Sequence, residues 1–348
     1  MEGWVKMQNR NQLFDFAISQ YATDIHICAG SPVQLRIGRK LKPVMEEKLT
    51  PEKSRELSYE LLTPEQIRIF EEQLDYDLML AYGDSRFRVN VGYFNGAVGA
   101  TIRILSGEPK SPEELFLPET VKTLAMKDKG LVLITGSTSQ GKTTTMASII
   151  DYVNTNYKKH IVTIEDPIEY IHTNKKGIVR QREVGRDTKT FASGLRAALR
   201  QDPDIIAIGE MRDFETIRIA MTAAETGILV LSTLHVISID KMIERLLSYA
   251  PEESENTMRF LLAETLQGVI HQELLPLIGG GQRVACEIMT STSGVKNIIR
   301  HKGGYHLRTV IDTGRKAGMC TMLDSVNGLL DKKLISPETA ARVLVSYT

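Results

Sequence analysis

Apolar residues recur along the first hundred positions in two periods. Residues 11–21 carry them at helical spacing, as does a longer stretch from about 51 to 73. Around these lie runs of alternating apolar and polar residues, the mark of half-buried strands. They are DIHICAG, PVQLRIGRKLKPV turning as a hairpin about Gly38, DYDLMLAY, RFRVNVGYF and AVGATIRIL. GDS separates the first two of the last three, and Asn95-Gly96 the next two. The Asn-Gly pair accepts the positive φ angles that a two-residue hairpin needs. A small α+β domain is predicted over residues 1–106. Breakers at positions 107, 109 and 112 in ILSGEPKSPEELFLPE predict a linker over 107–118. From 119 to the end, short apolar strands alternate with helical segments, as in a doubly wound α/β nucleotide-binding domain. From about residue 252 the pattern reads as mostly helical, broken by GGG at 279–281 and one short strand, VACEIM.

Within the second domain, LVLITGSTSQGKTTTMASII (131–150) carries the sharpest chemistry. Leu131 to Ile134 suits a buried parallel strand. The segment then fits G-x-x-x-x-G-K-[ST] in the order strand, loop, helix. A loop through Gly136, Ser137, Thr138, Ser139, Gln140 and Gly141 can aim successive N–H groups at one anion beside a helix N-terminus. Lys142 adds a point charge for β- and γ-phosphates, and the Thr143 hydroxyl a ligand for Mg²⁺, with Thr144 closing the loop. The alternative is an ordinary glycine-rich strand–helix turn, which the strand and helix around the motif disfavour. The loop is read as holding a nucleoside triphosphate.

Hydrolysis there also needs carboxylates. HIVTIEDPIEY runs Ile161 to Ile164 into Glu165 and Asp166, and DPDIIAIGEMRD runs Ile205 to Ile208 into Gly209 and Glu210. Carboxyl ends of parallel strands lie beside a phosphate loop, so both acids fall within reach of a γ-phosphate. Either alone is equally a helix N-cap; two downstream of such a loop favour the chemistry. ILVLSTLH ends in Thr233 and His235, the histidine being either a core residue or a phosphate sensor. Arg196 and Arg200 stand four apart on FASGLRAALRQDPD, on one helical face. Arg86 and Arg88 alternate with Phe87 and Val89 on one strand face. An arginine delivered to a γ-phosphate is worth about 10³–10⁵ in rate, and the N-terminal pair suits closure over nucleotide from the same or a neighbouring subunit.

Composition narrows the class. The 348 residues fit two domains, and 42% apolar with 25% charged residues is globular usage. Lys+Arg and Asp+Glu both total 43, and no basic block stands out, which disfavours a nucleic-acid partner. No run approaches the roughly 18 apolar residues of a membrane span, and the opening MEGWVKMQNRNQLFDF has no signal-peptide core. Cys28, Cys286 and Cys320 form neither a disulfide framework nor a paired-cysteine metal site. A cytoplasmic protein is expected.

Taken in order, ATDIHICAGSPVQLRI, GSTSQGKTTT, TIEDPIEY with QREVGRDT, LRAALRQDPDIIAIGEMRDFETI, TAAETGILVLSTLH, IERLLSYAP and EIMTSTSGVKNIIR resemble the secretion-superfamily motor ATPases. Within that superfamily they are similar to the type IV pilus retraction ATPases. The resemblance implies a PAS-like N-terminal domain joined to a RecA-like ATPase domain, assembled as a homohexamer with ATP and Mg²⁺ between subunits. It implies that Gly136 to Thr144 is the Walker A loop, Glu165 the catalytic base, and Glu210 the acid holding Mg²⁺ through water. His235 matches the second histidine of the His box. Arg86, Arg88, Arg103 and Arg245 fall in blocks that supply phosphate-facing arginines.

Two positions depart from the family pattern. Ile228 stands where the first His-box histidine is usual, so a γ-phosphate contact there is absent or replaced. Cys286 stands where a histidine is common. The chain begins almost at the PAS-like unit and lacks a four-cysteine zinc insert, which favours retraction over assembly. Membrane contact is then expected only through an inner-membrane pilus platform protein. A secretion ATPase of the same superfamily, a RecA-like nucleic-acid translocase and a nucleotide-gated scaffold are the rival readings. GVKNIIRHKGGYHLR (294–308) is either a partner-facing surface or a helix packed on the core.

Overall fold

The computed structural model describes residues 9–37, 40–83, 85–105, 108–301, 306–345 and 347. Gly38 of the first hairpin, Asp84 of the GDS turn, Gly107 of the linker and residues 302–305 of the 294–308 segment lie outside the described residues. The chain divides into two compact units, Met1–Glu108 and Pro109–Thr348.

The first unit holds α1 (Arg10–Ser19), β1 (Asp24–Ile27), β2 (Gln34–Ile37), β3 (Lys40–Pro43), α2 (Pro51–Tyr59), α3 (Pro64–Gln73), β4 (Asp75–Tyr82), β5 (Ser85–Phe94) and β6 (Ala97–Leu105). The strands form one antiparallel sheet in the order β3-β2-β1-β6-β5-β4. Asn95 and Gly96 both take positive φ, 50° and 80°, and join β5 to β6 as the sequence predicts. The helical stretch expected over 51–73 is two helices instead of one. Thr50 and Thr63 each cap a helix that opens with proline, so the second Thr-Pro pair restarts the helix. One sheet face carries the core, where the Phe14 and Phe87 rings stack at 4.1 Å.

The second unit is a seven-stranded sheet ordered β13-β12-β7-β11-β10-β8-β9. Its strands are β7 (Gly130–Thr135), β8 (His160–Glu165), β9 (Ile178–Glu183), β10 (Ile205–Ile208), β11 (Leu229–Leu234), β12 (Leu266–Pro276) and β13 (Gln282–Thr290). All neighbours run parallel except β12 and β13. The helices are α4 (Glu119–Ala125), α5 (Lys142–Asn156), α6 (Phe191–Ala198), α7 (Phe214–Glu225), α8 (Asp240–Leu247), α9 (Glu255–Thr265), α10 (Ser293–Arg300), α11 (Leu307–Thr313), α12 (Met322–Asp331) and α13 (Pro337–Leu344). They cover both sheet faces, which is why β7, β10 and β11 are buried at every position and are mostly apolar, the exceptions being Thr135, Ser232 and Thr233. Leu131, Leu133, Ile206 and Val230 pack with α6, α7 and α9, while Val132, Ile134, Ala207 and Leu231 pack with α4 and α5.

The helical region expected from about 252 needs correction. After α9 comes the long β12–β13 hairpin, and helices resume only at α10. LQGVIHQELLP reads as helix because strand β12 is buried on both faces and so shows no alternation. Its close packing is marked by Gly268, where a Cβ would meet Leu124 Cδ2 at 2.7 Å and the Met289 carbonyl oxygen at 3.0 Å. We expect Gly268→Ala to destabilise the chain by about 1–3 kcal/mol through overpacking. Gly279→Ala, where a Cβ meets open space, should be neutral or slightly stabilising in the same denaturation assay. Equal midpoints for the two variants would contradict this packing.

Candidate active site

The loop between β7 and α5 is shaped by its backbone. Gly136 takes φ 148°, Ser139 φ 62° and Gly141 φ 80°. A Cβ on Gly136 would lie 2.6 Å from the Gln272 carbonyl oxygen, so only glycine lets the loop leave β7 against β12. Gln272 Nε2 donates to the Gln140 carbonyl at 2.6 Å, and the Leu274 N–H donates to Gln140 Oε1 at 2.6 Å. No described side chain caps the N-terminus of α5, leaving its first-turn N–H groups suited to an anion.

Lys142 opens α5 and is buried. Its Nζ donates to the Gly136 carbonyl at 2.9 Å and the Ser137 carbonyl at 2.6 Å, and lies 3.2 Å from His235 Nδ1. The ammonium thus occupies the loop's own carbonyls. Burial pulls its pKa from 10.5 to about 8, against the opposing pull of the Glu210 carboxylate. His235 follows β11, and its Nε2 lies 3.5 Å from Glu210 Oε2. That same oxygen accepts from Arg212 Nε at 2.7 Å. Burial, then the Lys142 charge, hold the His235 imidazole below its ordinary range. A neutral ring protonated at Nε2 satisfies both contacts. Lys142, His235, Glu210 and Arg212 therefore form one continuous polar chain.

Glu165 ends β8, the strand beside β10. It is buried, and its Oε1 accepts from Thr163 Oγ1 at 2.5 Å and Gln181 Nε2 at 3.1 Å. The Gly209 N–H donates to the Ile164 carbonyl at 2.8 Å, which sets Glu165 and Glu210 on neighbouring strand ends. A cavity of about 420 Å³ opens beside Gly141, Thr144 and Thr145, walled by Leu274, Leu277 and Phe116. The Arg283 guanidinium covers the Phe116 ring at 3.3 Å.

The arginines divide. Arg196 pairs with Glu215 of α7. Arg200 is not on α6 with it, because that helix ends at Ala198 and Arg200 lies in a short 3₁₀ turn. This turn leads to the amino end of β10, whereas the phosphate loop follows the carboxyl end of parallel β7. Arg245 is exposed on α8 and stacks on Tyr249 at 4.7 Å. Arg86, Arg88 and Arg103 belong to the first unit, where Phe87 and Val89 alternate with the two β5 arginines and face the core. Arg88 stands opposite Arg103, which donates through Nε to the buried Asp24 carboxylate at 3.1 Å. Ile228 precedes β11 at its amino end, with His235 just beyond the other end, and packs against the core. Cys286 is buried in β13. Sequence reasoning missed Arg212, Thr163, Gln181 and Gln272, though three of the four stand in blocks it had already singled out.

A phosphate loop at the head of a helix, with acids on the ends of adjacent parallel strands, defines a P-loop nucleotide-binding domain. The family model described as "Type II/IV secretion system protein" matches residues 5–325, and the chain belongs to that family. It is 43% identical over 330 residues to the "Type IV pilus retractation ATPase PilT" of Pseudomonas aeruginosa, covering 94% of this chain and 96% of that protein. It is 37% identical over 310 residues to the "Twitching motility protein" of Neisseria gonorrhoeae, covering 88% and 83%. The crystal structure of the pilus retraction motor PilT with bound ADP superposes with a TM-score of 0.87 at 40% identity, covering 97% of each chain.

The buried Lys142 has a consequence for stability. The unfolded lysine keeps its proton to its ordinary 10.5, and the folded one loses it near 8. Unfolding takes up a proton between those values, so stability rises with pH across that window, by about 3 kcal/mol at most. Below pH 8 the cost of burying the charge is present in full. Denaturation midpoints of the parent and Lys142→Met between pH 8 and 10 should therefore differ in slope, with the rise confined to the parent. Parallel curves would contradict the desolvation of this amine.

Proposed function

We propose that the chain is a Mg²⁺-dependent ATPase working as a homohexameric motor that powers type IV pilus retraction. The reading is carried by Lys142, His235 and Glu210 meeting at the phosphate loop, with Glu165 on the next strand end. The likeness to pilus retraction proteins over nearly the whole chain supports its direction. ATP is the substrate, its phosphates lying on the N–H groups of Gly136 to Thr144. Lys142 leaves the two loop carbonyls for the β- and γ-oxygens. The cavity beside Thr144 and Thr145 takes the nucleoside, with Phe116 and Arg283 at its wall.

The hard oxygen donors of Thr143 and, through water, Glu210 fit Mg²⁺. Mg²⁺ supplies charge neutralisation at the phosphate oxygens. A water oxygen bonds to the γ-phosphorus, the bridging P–O bond breaks with its electron pair passing to ADP, and Glu165 receives the water proton. His235, between Lys142 and Glu210, reports the loss of phosphate to both. Arg245 and the first unit's Arg86, Arg88 and Arg103 supply cations from the same or a neighbouring subunit. Arg196 and Arg200, on the segment that leads to the amino end of β10, are not assigned a step. No described helix is long and apolar enough to cross a membrane. The motor is read as cytoplasmic and peripheral at the inner membrane, held by the pilus platform protein, with no nucleic acid involved.

In solution, Lys142→Ala should lose ATP hydrolysis by at least about a hundredfold, since the phosphates lose their counter-charge; normal turnover would refute the site. In cells, deletion of the chain and Lys142→Ala should both leave excess pili and no surface motility. Bald cells would mean an assembly motor, and unchanged pili a secretion ATPase.

A further inference from the structure

Glu165 is oriented by donors from two strands. Thr163 Oγ1, two residues earlier on the same face of β8, donates to its Oε1 at 2.5 Å. Gln181 Nε2, on β9 and opposite Thr163 in register, donates to the same atom at 3.1 Å. Both ends of the Gln181 amide are themselves fixed. Its Nε2 also donates to the Tyr170 carbonyl at 2.8 Å, and its Oε1 accepts from the His172 N–H at 2.8 Å. The amide cannot turn without breaking these contacts, so it sets one rotamer for the carboxylate. The segment it grips returns to the nucleotide side, where the Tyr170 hydroxyl lies 2.9 Å from Thr144 Oγ1.

We propose that Thr163 and Gln181 are positioning residues for hydrolysis, holding the Glu165 carboxylate where it receives the proton of the attacking water. Tyr170 ties that arrangement to the phosphate loop at Thr144. The inference rests on Glu165 being the base. A hydrogen bond to a charged group is worth enough that losing either donor lowers turnover by about ten- to a hundredfold when orientation limits the rate. ATP binding depends on the loop and Lys142, and so is spared.

The test is steady-state kcat and KM for ATP on the full chain, with thermal midpoints, for Thr163→Val, Thr163→Ser, Gln181→Met and Glu165→Gln. Thr163→Val touches none of the contacts that hold Tyr170 and His172, which separates orientation from disruption of that segment. The expected result is kcat down about tenfold or more in Thr163→Val and Gln181→Met, with KM within about twofold. Thr163→Ser, which keeps the hydroxyl, should recover most of the loss. Parental kcat in Thr163→Val, or KM rising in step with the loss of kcat, would overturn the proposal. Glu165→Gln at the parental rate would overturn the assignment of the base instead, so the two failures are distinct.

Discussion

Gln272 grips the phosphate loop in two ways, and the site depends on it. Its side chain holds the Gln140 carbonyl, while its own carbonyl stands where any Cβ on Gly136 would have to go. A glycine-rich loop has little stiffness of its own. Here its curvature comes from β12, a strand that runs parallel to β7 and continues past its end. The loop is therefore held from outside while Lys142 rests on the Gly136 and Ser137 carbonyls. Pre-organisation of this kind leaves little ordering to be done when an anion arrives.

A second constraint is electrostatic. The order β7-β11-β10-β8 places four strand ends side by side, and each delivers a titratable group to one edge, Glu165 ending the fourth. Lys142 begins the helix after the first, His235 follows the second and Glu210 the third. Burial weakens the proton affinity of Lys142 and His235, and the Glu210 carboxylate opposes it in both. The result is a balanced polar chain with Arg212 at its outer end. His235 thus links the loop lysine to the Glu210 carboxylate by direct contacts. Ile228, at the far end of β11, stands away from this chain.

Much of this was legible in the sequence, for physical reasons. Strands buried on both faces are short apolar runs, so the residues that interrupt them at their carboxyl ends are conspicuous; Glu165, Glu210 and His235 were found in this way. The phosphate loop was legible because its spacing follows from the anion it surrounds. Strand β12 was not, because its buried His271 and Gln272 serve Thr135 and Gln140 across the sheet, a tertiary demand no local pattern carries. The early end of α6 was hidden likewise, since 3₁₀ and α turns share the same residues, and it separated Arg196 from Arg200. Thr63-Pro64 was a readable helix start that the longer apolar period overrode.

The claim on which the rest stands is that Lys142 now occupies the contacts a nucleotide would replace. The measurement that tests it most directly is a crystal structure with Mg²⁺ and a non-hydrolysable ATP analogue. Lys142 Nζ is expected to leave the Gly136 and Ser137 carbonyls and His235 Nδ1 for the phosphate oxygens, with Gln272 still holding Gln140. A nucleotide bound with all three Lys142 contacts intact would contradict it.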